Sequence, residues 1–64
     1  MIVNGEKMPL DQNITVKELI LKLNLNPQTI VVEVNLNIIP KEQHDITILY
    51  ENDKVEIINF VGGG

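Results

Sequence analysis

The chain has 64 residues, nine acidic groups against five lysines, a formal net charge of −4 and no cysteine. That length allows one domain, and the missing cysteine excludes disulfides, thiolate metal sites and cysteine nucleophiles. The acidic balance argues against nucleic acid, whose affinity rests on neutralising phosphates, and favours a partner with a basic docking surface.

Ile, Val and Leu dominate the apolar 44% of the sequence, and Tyr50 and Phe60 are its only aromatic residues. A pocket for a large organic cofactor usually has aromatic and hydrophobic walls, and a core this small leaves no room for one. No signal-peptide pattern opens the sequence, and no apolar stretch approaches the ~20 residues that span a bilayer. With the lack of cysteine, these features predict a cytoplasmic protein with no membrane partner.

Met1-Ile2-Val3 reads as a first strand, and Asn4-Gly5 as a type I′ hairpin turn, which needs positive φ at both positions. Glu6 to Leu10 is the returning strand, with Pro9 marking its end. Thr15-Val16-Lys17-Glu18 reads as a capping box, with Ile14 placed to staple onto Leu19. Val16, Leu19, Ile20 and Leu23 then share one helical face. Asn24 is a left-handed cap, and Pro27 prevents continuation. Ile30 to Asn35 reads as a central strand. Asn35-Leu36-Asn37 turns the chain into a brief Ile38-Ile39 strand that Pro40 stops. Lys41 to Asp45 is irregular, Ile46-Thr47-Ile48 alternates as a short strand, and Glu51 to Lys54 is a turn. Val55 to Phe60 is the last strand. The order is β-β-α-β-β-β, with the register between residues 36 and 50 left open. Parallel pairing of the first and last strands would close a mixed sheet of four or five strands over one helix, an α+β domain.

The body spans residues 1–60, and residues 61–64 form a glycine tail that is expected to be flexible. Glycine lacks Cβ, so Gly62 and Gly63 suit a channel too narrow for other residues. The Gly64 carboxylate is the least hindered acyl group a chain can offer. The sequence has no phosphate-cradling GxxxxGK[ST] loop, so any ATP chemistry on that carboxylate belongs to another protein. Glycines at a terminus often carry no function. Here they follow an apolar strand with no linker between.

The sequence resembles the ThiS sulfur carriers of thiamin biosynthesis, ubiquitin-like proteins of the β-grasp superfamily. The matching residues are Val3-Asn4-Gly5, Thr15 to Ile20, Val34-Asn35, Ile38-Ile39-Pro40-Lys41-Glu42, Asp53 to Ile57, and Phe60-Val61-Gly62-Gly63-Gly64. They run through essentially the full chain. One departure is Glu51-Asn52-Asp53, where the family often has a glycine-bearing turn. The resemblance implies that a ThiF-type adenylating enzyme activates the Gly64 carboxylate with ATP and Mg²⁺. A persulfide donor then converts it to a thiocarboxylate, and thiazole synthase takes up the sulfur. On that reading the chain is a co-substrate rather than an enzyme. It binds no cofactor or metal and is a monomer when free.

Alternation along the last strand puts Val55 and Ile57 on one face and Glu56, Ile58 and Phe60 on the other. A solvated face should be polar, so Ile58, Phe60 and the adjoining Val61 are candidate partner-docking residues. Glu51, Asp53 and Glu56 are candidates for steering a basic partner. His44, beside Glu42 and Asp45, lacks a second histidine and is expected to be a solvated loop residue rather than a metal ligand. Tyr50 fits either core or edge. Three other functions remain open: a carrier for molybdopterin or another pathway, a ubiquitin-like modifier of lysines, and an interaction domain with an idle tail.

Overall fold

The computed structural model describes residues 1–61. Its elements are β1 (Ile2–Val3), β2 (Glu6–Lys7), β3 (Ile14–Thr15), α1 (Val16–Lys22), β4 (Ile30–Val34), β5 (Asn37–Ile39), a 3₁₀ turn (Lys41–Gln43), β6 (Ile48–Leu49) and β7 (Lys54–Asn59). Five strands form one sheet in the order β2-β1-β7-β4-β5, and β3 pairs with β6 in a separate two-stranded ribbon. β7 lies at the centre, parallel to β1 and antiparallel to β4. This is the ubiquitin-like β-grasp, an α+β fold with a mixed sheet packed on one helix.

Local chemistry explains most boundaries. Asn4 and Gly5 hold φ of 50° and 83°, as a type I′ turn requires. The returning strand is shorter than the sequence suggests: Glu6 and Lys7 form it, and Met8 beyond them still exchanges main-chain bonds with Met1 at 2.8 and 3.0 Å. The capping box forms: the Glu18 N–H donates to Thr15 Oγ1 at 3.1 Å, and the Thr15 N–H donates to Glu18 Oε1 at 2.8 Å. At the other end Asn24 takes φ 58°. The Asn24 N–H reaches the Leu21 carbonyl and the Leu25 N–H reaches the Ile20 carbonyl, both at 3.1 Å. These are the two bonds of a Schellman motif.

The core joins the helix to the inner face of the sheet. Val16, Leu19, Leu49, Val32 and Val55 are fully buried, with Met1, Ile20, Ile30 and Val34 around them. Fully burying a side chain of this size stabilises the fold by about 1.5–3 kcal/mol. Val3, Ile14, Leu23, Ile39 and Ile57 pack at the margin of this cluster.

The structure corrects the reading of residues 44–49. The strand is Ile48–Leu49 and not Ile46–Ile48, because it pairs with β3, which lies ahead of the helix. Ile46 and Ile48 are exposed, while Leu49 is buried. The same segment caps the helix: the Val16 N–H donates to the Thr47 carbonyl at 2.9 Å, and the Lys17 N–H to the His44 carbonyl at 2.8 Å. The first amides of any helix lack intrahelical partners, and here a distant stretch of chain supplies them.

His44 is likewise corrected. It is buried rather than solvated, and its Nε2 lies 3.2 Å from the Ile39 carbonyl. The loop thereby ties the end of β5 to the start of α1.

Candidate functional site

The site is built on the last turn of chain before the glycines. β7 is held at its start and at its middle by asparagine side chains. At its start the Lys54 N–H donates to Asn35 Oδ1 at 3.0 Å, and Asn35 Nδ2 donates to Asp53 Oδ1 at 2.9 Å. The other Asp53 oxygen accepts from the Tyr50 N–H at 2.8 Å. Both Asp53 oxygens thus brace the turn before β7, which leaves Asp53 less suited than Glu51 or Glu56 to steering a partner. Further along, β1 ends and the Ile57 N–H donates to Asn4 Oδ1 at 2.7 Å. Tyr50 is exposed.

Register then fixes the outer face of the sheet, the face away from the helix. Val32 pairs with Ile57 and Val34 with Val55, both pointing inward. Val31 lies opposite Ile58 and Glu33 opposite Glu56, both pairs on the outer face, and Ile38 lies beside Glu33 on β5. Ile58, Phe60 and Val61 are 50%, 61% and 44% exposed. The Phe60 N–H still bonds the Thr29 carbonyl at 3.0 Å, one residue past the strand. Ile58, Phe60 and Val61 therefore form an exposed apolar step at the end of β7, directly before the glycines in sequence. Gly62, Gly63 and Gly64 lie outside the described residues.

Sequence reasoning missed three members of this face: Val31, Glu33 and Ile38. The β-branched run from residue 30 carries no polar alternation strong enough to show which side chains point outward. The signal was the Asn35-Leu36 turn, both residues at positive φ (51° and 72°). A two-residue turn of this kind sets the register of β4 against β5. Glu33 and Glu56 stand directly opposite on neighbouring strands, a like-charge pairing that destabilises a sheet.

A hollow of about 330 Å³ lies elsewhere, between α1 and the 3₁₀ turn, and Ile20, Leu21, Pro27, Lys41 and His44 line much of it. β7 contributes nothing to it among the described residues. No helix among the described residues is long and apolar enough to cross a membrane.

The whole chain, residues 1–64, matches the ThiS family model. The chain belongs to the ThiS family. It is 38% identical over 50 residues to the sulfur carrier protein ThiS of Bacillus subtilis, covering 78% of this chain and 76% of that protein. Over its full length it is 34% identical to a thiazole synthase of Paramagnetospirillum magneticum, and it spans 20% of that protein's length. The crystal structure of the thiamine biosynthesis protein ThiS from Geobacter metallireducens superposes with a TM-score of 0.85. That match has 32% identity and covers 98% of this chain and 96% of the other. The residues that carry the family likeness have clear structural work in this member: Asn4 and Asn35 clamp β7, and Thr15 and Glu18 cap the helix.

Proposed function

We infer that this chain is a sulfur carrier protein of thiamine biosynthesis, with the Gly64 carboxylate as the group that carries the sulfur. The observation that supports it most is how little chain separates the ThiS-family body from the three glycines. The central strand ends at Asn59, and only the exposed Phe60 and Val61 separate it from the glycines in the sequence.

A free carboxylate resists nucleophiles. A ThiF-type partner using ATP and Mg²⁺ joins the Gly64 carboxylate to AMP and releases pyrophosphate. The sulfur of a persulfide attacks the acyl carbon, and AMP leaves. A thiol then cleaves the sulfur–sulfur bond, leaving a thiocarboxylate. Thiazole synthase fits as the acceptor, since proteins of that name contain a segment like this chain. The chain itself is a co-substrate in each step.

The body has to supply grip. Ordering residues 61–64 in an enzyme channel costs on the order of 4–8 kcal/mol, and each main-chain hydrogen bond to them returns about 1 kcal/mol net. The apolar step of Ile58, Phe60 and Val61 is the docking surface that offsets the remainder. Glu33 and Glu56 beside it suit a cation on the partner.

Incubation with a ThiF-type enzyme, ATP and a sulfur donor, followed by intact mass measurement, is expected to show one sulfur in place of one oxygen. Deleting Gly64 should abolish that product and leave the thermal midpoint unchanged. A lower midpoint would make the tail a structural element, and no mass change in the intact chain would remove the carrier reading.

A further inference from the structure

β7 has two edges, and one of them runs out of partners before the strand ends. Even-numbered residues bond to β4: Val31 pairs with Ile58 and Glu33 with Glu56, and the Phe60 N–H reaches the Thr29 carbonyl. Odd-numbered residues face β1. The Asn4 N–H donates to the Val55 carbonyl at 2.9 Å, and there the backbone of β1 turns away.

From that point two asparagine side chains stand where a strand would be. Asn4 Oδ1 takes the Ile57 N–H at 2.7 Å, and Asn59 Oδ1 takes the Val61 N–H at 3.0 Å. Between them, the Ile57 carbonyl and both main-chain groups of Asn59 meet no partner among the described residues. Asn59 itself is exposed. The open groups repeat at the two-residue spacing of a strand ladder and lie directly before the tail.

We propose that this edge, Ile57 to Val61, receives an extended segment of the enzyme that adenylates the tail. The segment pairs with the Asn59 main chain and displaces the Asn59 side chain from the Val61 N–H. The proposal rests on the carrier reading and deepens it, because main-chain pairing sets the register in which the following glycines enter the active site. Strand addition of this kind takes its affinity from main-chain bonds. The edge continues the apolar step of Ile58 and Phe60, so one partner surface covers both. A second copy of this chain fits less well: both copies are acidic, and the asparagine bonds blunt the edge against self-pairing in the way natural sheets protect their edges.

The test is amide hydrogen exchange by NMR on the full chain, alone and bound to a ThiF-type enzyme, with thiocarboxylate formation followed by mass in the same preparation. The Asn59 amide is expected to exchange freely in the unbound protein and to slow by about a hundred-fold or more in the complex, as buried ladder amides do. Asn59→Pro removes the open N–H without touching the bonds to β4, and should weaken the complex about five-fold or more, the worth of one main-chain bond. Asn59→Ala frees the Val61 N–H and should bind as well as the parent or better. If the proline variant does not fold, the exchange comparison on the parent chain decides alone.

An unprotected Asn59 in a complex that makes thiocarboxylate would overturn the edge proposal and leave the carrier reading intact. Equal weakening by alanine and proline would also overturn it, since the side chain would then be what the partner reads. Protection of Asn59 in a free dimer would assign the edge to a second copy. No thiocarboxylate from the parent chain would remove the carrier reading on which the proposal rests.

Discussion

At its start β7 is enclosed, and at its end it is open. Val55 has β1 on one side, β4 on the other and the helix beneath it, and is fully buried. Five residues later Phe60 has a single main-chain bond to Thr29, and most of its side chain is in solvent. The two ends share one strand, one backbone direction and similar apolar side chains. What differs is the number of neighbours. Where neighbours surround the strand, an apolar residue contributes to stability. Where they run out, the same kind of residue is available to a partner.

The comparison breaks if both ends respond alike to mutation. Phe60→Asp and Ile58→Asp should each weaken the complex with the adenylating enzyme by roughly thirty-fold, the effect of losing a hot-spot residue. Thermal stability should move by no more than about 0.5 kcal/mol, as for other surface changes. Titration calorimetry and a melting curve measure the two effects, and parent-like binding by both variants would remove the docking face. Val55→Ala should do the reverse. It deletes fully buried methyl groups and should cost about 2 kcal/mol in denaturant unfolding. Thiocarboxylate formation should persist wherever the variant stays folded.

The smallest effect sharpens the comparison at mid-strand. Glu33 and Glu56 oppose each other on the outer face. Glu33→Gln should stabilise the free protein by about 0.2–1 kcal/mol, since opposed like charges are unfavourable, and should weaken the partner complex. A gain in stability with unchanged binding would show that the pair faces no cation.

Much of this is legible in the sequence. The Asn4-Gly5 turn, the Thr15–Glu18 capping box, the Asn24 cap and the in-out alternation of β7 are local devices, complete within a few residues, and each appears as the pattern requires. Residues acting across long separations were not legible. His44 looks like a loop polar until Ile39 and Lys17 are seen against it. Asp53 looks like a free surface charge until Asn35 and the Tyr50 amide occupy both its oxygens. Ile14-Thr15 shows no strand pattern, because its pairing with Ile48-Leu49 is set from across the molecule.

The amino-acid order by itself determined most of the elements, the α+β class and the chemical character of the tail. These follow from hydrophobic period, turn chemistry and the lack of side chains on three glycines. Only the tertiary structure decided which strands are neighbours, and so which apolar residues of β7 are core and which are left for a partner. That depends on register and on where β1 stops, which no single segment carries in its own sequence.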